Sequence, residues 1–174
     1  MLTGSFTTGG LTDFVPEADE PMVARIRRAG AVILGKTNTP EFGHSATTEN
    51  LLGDHGRNPW DTTRTSGGSS GGAGAGLAAG MHPLAQGSDG GGSIRIPASL
   101  CGVFGIKPTQ GRVPRPYAGP GGWGQFSQNG PITHTVRDAA ILLQVLAGPD
   151  PDGMTPSLRK LAQHSGIRRR GDFP

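Results

Sequence analysis

Apolar residues recur at helical spacing in two stretches of this chain. Met22, Val23, Ile26 and Ala29 share one face of a segment with Pro21 near its start and Gly30 at its end. Proline suits a first helical turn and glycine the position past the last, so the pattern predicts a helix capped by Asp19 and running to about Ala29. In the second stretch, residues 136–147, Val136, Ala139, Ala140, Leu143 and Leu146 share a face, and Thr135 stands where a cap belongs. Residues 31–34 are continuously apolar and read as a short buried strand; a strand straight after a helix is an α/β pattern. Residues 71–80 are small and apolar. Glycine lowers their helix propensity, yet small residues allow close packing, so a buried helix is expected. Residues 83–87 read as a short strand, 97–101 as a helical turn and 103–106 as a strand. Residues 1–17 read as loop, and 39–66 as polar and turn-rich, with a turn at Asn58-Pro59-Trp60-Asp61. Residues 148–174 are rich in proline, aspartate and arginine. The chain thus divides into a folded α/β unit, residues 1–150, and a poorly ordered basic tail, residues 151–174.

Composition changes this picture in one respect. With 31 glycines and 15 prolines in 174 residues and only 33% hydrophobic residues, the chain leans toward loop-rich structure. The glycines, however, concentrate at 67–72, 90–92 and 119–124, which points to function before disorder. The formal charge of +3 comes largely from Arg25, Arg27 and Arg28 on the first helix and Arg168, Arg169 and Arg170 in the tail. Direct nucleic-acid binding would need a broader basic face with stacking aromatics and is not expected. The one cysteine, Cys101, permits no intramolecular disulfide, which suits a reducing, cytoplasmic setting. Met1-Leu2-Thr3-Gly4 lacks the basic start and apolar core of a signal peptide, and no apolar run approaches membrane-spanning length. The five histidines are scattered, without the paired spacing of a zinc site.

The candidate chemistry lies in two serine-centred glycine loops, Gly67-Gly68-Ser69-Ser70-Gly71-Gly72 and Gly90-Gly91-Gly92-Ser93-Ile94-Arg95. Glycines let backbone N–H groups approach a small ligand closely. A hydroxyl beside a row of N–H groups supplies what acyl transfer needs, a nucleophile and donors for the oxyanion. The first loop also fits a nucleophile elbow, but the polar run 61–66 precedes it where that motif needs a hydrophobic strand. Gly74-Ala75-Gly76 fails as a dinucleotide fingerprint on the same test.

Residues 65–113, TSGGSSGGAGAGLAAGMHPLAQGSDGGGSIRIPASLCGVFGIKPTQGRV, resemble the signature region of the amidase signature enzymes, serine hydrolases acting on amides. The flanking segments AGAVILGKTN, residues 29–38, and Gly130-Pro131-Ile132 are similar as well. The resemblance implies a mixed twisted β-sheet flanked by helices. It implies Ser93 as the acylated nucleophile and Ser69 as a bridging serine after a cis bond, Gly68–Ser69. It implies an oxyanion hole from the N–H groups of Gly90, Gly91, Gly92 and Ser93, with Asp89 and Arg95 holding the loop. Gly43 lies near a position that contacts substrate in some relatives. The family's third catalytic residue is a lysine. Neither Lys36 nor Lys107 matches it; Lys36 is expected to hold loop carbonyls or a carboxylate such as Glu41. The matching lysine belongs upstream of Met1, so the chain reads as an incomplete amidase domain, weakly active or inactive alone. The resemblance implies a small-molecule amide substrate, no metal or organic cofactor, no membrane, and a homo-oligomer as a compatible state. Two alternatives stay open: the A component of the glutamyl-tRNA amidotransferase, which needs partner subunits, and a non-catalytic fragment serving in binding or assembly.

Overall fold

A computed structural model describes residues 18–115 and 126–148. The expected first loop and basic tail, and the glycines at 119–124, lie outside the described residues. Helix α1, Pro21–Arg28, is followed by a 3-10 turn, Glu41–Gly43, and the hairpin strands β1, Arg57–Asn58, and β2, Asp61–Thr65. Then come α2, Gly71–Ala78; β3, Leu84–Asp89; α3, Arg95–Cys101; β4, Phe104–Gly105; β5, Gln128–Thr133; and α4, Val136–Leu146. The chain is therefore α/β, as the sequence implies. Its sheets among the described residues are antiparallel: the β1–β2 pair, and a three-stranded sheet in the order β3-β5-β4.

Strand β5 is central, wholly buried, and was not expected as a strand, because Gln-Asn-Gly-Pro-Ile-Thr carries few strand formers. Proline cannot donate to a ladder. The Pro131 carbonyl accepts from the Ile106 N–H at 3.3 Å, but the reciprocal bond cannot form, and β4 ends at Gly105. Toward β3 the register runs unbroken from Leu84–Thr133 to Asp89–Gln128, and this pairing fixes where β3 delivers the second glycine loop.

Two apolar clusters carry the fold. Ala73 and Leu77 of α2 meet Ile94 and Ile132, with Ala85 and Val103 at the margin. This cluster lies directly behind the two glycine loops. The other joins α1 to α4 through Met22, Leu142, Leu146 and Val113. Arg25 reaches from α1 to the end of α4, donating to the carbonyls of Leu146 at 2.8 Å and Gly148 at 3.3 Å. A cation there satisfies carbonyls that the helix leaves open and complements its dipole.

Several expectations need correction. Residues 31–34 form no strand; Val32 and Leu34 are 84% and 75% exposed, because no strand of the described residues pairs with them. The cap residue of α1 is Glu20 rather than Asp19, whose carboxylate instead pairs with Arg27 at 2.7 Å. In α1, Met22 is buried and Val23 and Ile26 pack beside it, but Ala29 is exposed. Helix α4 turns Ala139, Leu142 and Leu146 inward, while Val136 and Ala140 face out, since the helix is rotated to meet α1. The expected turn at 58–61 closes the β1–β2 hairpin, which the polar composition of the segment concealed.

Thr135 caps α4 as expected, its hydroxyl accepting from the Asp138 N–H at 3.1 Å. Thr135→Ala is expected to lower stability to urea by about 1 kcal/mol, with Thr135→Ser recovering most of it. An unchanged denaturation midpoint in Thr135→Ala would contradict this.

Candidate active site

The first loop is held by side-chain hydroxyls and by backbone. Residues 66–70 are buried. The Thr48 hydroxyl donates to the Gly67 carbonyl at 2.7 Å, and the Ser66 hydroxyl to the Gly56 carbonyl at 2.9 Å. The Gly72 N–H donates to the Asn38 carbonyl at 3.1 Å. The glycines are required by these neighbours: a Cβ on Gly68 would stand 2.6 Å from the Thr47 carbonyl oxygen, and one on Gly72 would strike the Asn38 backbone. The Gly68–Ser69 peptide bond is cis. Ser69 is buried, and the Cα of Gly43 packs beside it, so that a Cβ there would lie 3.4 Å from Ser69 Oγ.

The second loop is organised by one carboxylate. Asp89 ends β3 and is fully buried. Its Oδ1 accepts from the Gly92 N–H at 2.7 Å and from Arg95 Nη2 at 3.0 Å. Its Oδ2 accepts from the N–H groups of Ile94 and Arg95 at 3.2 and 3.3 Å, and from Arg95 Nε at 2.9 Å. Burial alone would raise this carboxyl's pKa. The Arg95 guanidinium and the three amides outweigh burial and hold it below the usual carboxylate range. Lys107 Nζ adds a bond to the Gly90 carbonyl at 2.8 Å and lies 3.9 Å from Asp89 Oδ1.

This network decides which amides remain open. The Gly92 N–H, expected among the oxyanion donors, is spent on Asp89. The N–H groups of Gly90, Gly91 and Ser93 donate to no acceptor among the described residues. A cleft of about 380 Å³ opens at Gly91 and Gly92 and continues along Arg95, Ile96, Ser99 and Leu100 of α3.

Ser70, in the first loop, ties the two together. Its N–H donates to the Ser93 carbonyl at 3.1 Å, and its hydroxyl accepts from the Ser88 N–H at 3.3 Å. Ser69 is thus one residue from the bond that reaches Ser93, with Gly43 beside it. Lys36 is exposed and makes no hydrogen bond or ion pair among the described residues, so the expected link to Glu41 is absent; Glu41 Oε1 is buried without a hydrogen-bond partner among the described residues. Cys101 is buried, with its Sγ 3.5 Å from the Ser66 carbonyl oxygen, and burial pushes its thiol pKa up, which disfavours a nucleophilic thiolate. Sequence reasoning gave Thr48 and Lys107 no place in the loop architecture, and Ser70 no role in joining the loops. Nothing in their local pattern marks them, since each acts across a long sequence separation.

Asp89 in the unfolded chain titrates near 3.9. Its folded value is lower, so its stabilisation is complete above about pH 4 and lost as pH falls through the folded value. Asp89→Asn is expected to cost on the order of 3 kcal/mol at neutral pH and to flatten the acid limb of the stability–pH curve. Arg95→Ala, whose side chain is half-exposed, should cost about 1 kcal/mol. Urea titrations from pH 3 to 8 check both, and equal losses would contradict the dominance of Asp89.

The geometry has counterparts among known proteins. The amidase family model matches residues 3–171. In Roseiflexus castenholzii, the A component of the glutamyl-tRNA(Gln) amidotransferase is 52% identical over 141 residues, which are 81% of this chain and 29% of that protein. The crystal structure of the corresponding Thermotoga maritima protein superposes with a TM-score of 0.77 at 43% identity, covering 88% of this chain and 33% of that one. A bacterial aryl acylamidase of the amidase signature family gives a TM-score of 0.73 at 41% identity, over 79% of this chain and 28% of its own. The chain spans about a third of the length of the relatives it matches. On the family match and the shared fold, the chain belongs to the amidase signature family.

Proposed function

We propose that this chain carries the acylating part of an amide-cleaving site, with Ser93 as nucleophile. Ser93 Oγ attacks the amide carbon and forms a tetrahedral intermediate. Its oxyanion is received by the open N–H groups of Gly90, Gly91 and Ser93. Collapse expels the amine and leaves an ester on Ser93, which water then hydrolyses. Ser69 stands between Ser93 and the base as a proton carrier, and Gly43 borders the space where substrate sits. The observation that carries this reading is the partition of the loop amides. Asp89 takes three of them and leaves three others, at and before Ser93, without an acceptor among the described residues. Donors fixed in advance where charge develops are the largest single contribution in many such sites.

The base is assigned to neither lysine of the described residues. Lys36 is exposed, Lys107 is engaged with Gly90, and Lys160 lies outside the described residues. A second reading rests on the relatives named as amidotransferase components. It shares the acyl-Ser93 step and differs in the fate of the nitrogen, which passes to a second acceptor instead of solvent.

A fluorophosphonate probe tests the nucleophile. Mass spectrometry of the labelled chain is expected to find the adduct on Ser93 in preference to Ser69, Ser70, Ser99 or Cys101. It should be absent in Ser93→Ala and slowed in Ser69→Ala. An adduct on another residue, or none on Ser93, overturns the assignment.

A further inference from the structure

Lys107 follows β4 and reaches the second loop from behind, with its side chain three-quarters buried. Its Nζ donates to the Gly90 carbonyl at 2.8 Å. That carbonyl is one end of the peptide group whose other end is the Gly91 N–H, one of the three open donors. The only cis bond among the described residues is Gly68–Ser69, so the Gly90–Gly91 group is trans. In a planar trans peptide the carbonyl oxygen and the amide hydrogen point in opposite directions. Drawing the carbonyl toward Lys107 therefore aims the Gly91 N–H the other way. A cation on the oxygen also polarises the conjugated group and strengthens its N–H as a donor. Asp89 Oδ1, 3.9 Å from Nζ, holds the ammonium at this station.

We propose that Lys107 is a positioning residue for the oxyanion site: it orients and polarises the Gly91 N–H through the shared Gly90–Gly91 peptide group. This inference rests on the acyl-Ser93 reading for its catalytic consequence, while its geometric half stands on the contact itself. Lys107 touches neither substrate nor nucleophile. Asp89 supplies the orientation of Gly92, Ile94 and Arg95, and Lys107 supplies that of Gly91. The loop is thus held by two neighbouring charged groups, a carboxylate accepting from amides and an ammonium donating to a carbonyl.

Two readouts on residues 1–174 test it, using Lys107→Met, which keeps the length of the side chain, and Lys107→Arg, which keeps the cation. The first is the ¹H–¹⁵N NMR spectrum. Loss of the donor on the Gly90 carbonyl is expected to move the Gly91 amide ¹⁵N resonance upfield in Lys107→Met and to leave the Asp89-bound amides of Gly92 and Ile94 in place. The second is the rate of fluorophosphonate reaction at Ser93, resolved into its saturating rate and its half-saturation concentration. Lys107→Met is expected to lower the saturating rate roughly tenfold, less than the 10²–10³-fold typical of removing a whole donor. The half-saturation concentration should not change, and Lys107→Arg should restore most of the rate. A Gly91 resonance that does not move overturns the orientation by Lys107. A moved resonance with an unchanged Ser93 rate overturns its service to the oxyanion. Absence of any Ser93 adduct in the unaltered chain overturns the acyl-Ser93 reading and, with it, the catalytic half of the proposal, while the NMR result still decides the geometric half.

Discussion

Asp89 loses all contact with water on folding, and a buried carboxylate is tolerated only where its charge is matched by donors. Three amides of one loop and the Arg95 guanidinium supply them. To deliver three amides to one carboxylate the chain must curl tightly, and Gly92 allows the curl with φ near 131°. The remaining amides of the loop have no acceptor among the described residues. On the proposed reading, the oxyanion site is a by-product of satisfying an interior charge, and its shape is set by the protein before any ligand arrives. That is the condition under which N–H donors stabilise an oxyanion without reorganisation cost.

The rest of the structure serves to keep the two serine loops against each other. Small residues make this possible. Helix α2 is built of glycine and alanine, apart from Leu77, and approaches α3 closely enough that a Cβ on Gly74 would lie 3.1 Å from Pro97. Leu77 fills the gap that remains, against Ile94 directly after the nucleophile candidate and Ile132 on the central strand. Ser70 then bonds across to Ser93 and Ser88, so the loops share a frame instead of moving independently. On the outer side, the segment carrying Asn38 and Thr48 closes over the first loop.

Much of this was legible in the residues. The glycine–serine loops, the buried small-residue helix and the capped α4 each have a local chemical cause, and each stands where the pattern puts it. What was not legible depends on partners distant in sequence. β5 contains Asn129, Gly130 and Pro131 and becomes a strand because β3 and β4 flank it. Residues 31–34 are apolar enough for an interior strand, yet they have no strand beside them among the described residues. Gly92 illustrates the same limit inside the site. Its place in a glycine run suggests an oxyanion donor, and only the three-dimensional position of Asp89 shows that its N–H is already taken.

The partition of loop amides can be measured directly by residue-resolved hydrogen exchange in the free chain. The amides of Gly92, Ile94 and Arg95 should exchange slowly and in step with one another, and those of Gly90, Gly91 and Ser93 quickly. The protection of the first three should disappear in Asp89→Asn, while amides of α4 stay protected. Uniform exchange across residues 90–95, or slow exchange at Gly91 and Ser93 with fast exchange at Gly92, would contradict the account of Asp89 as the residue that forms the site.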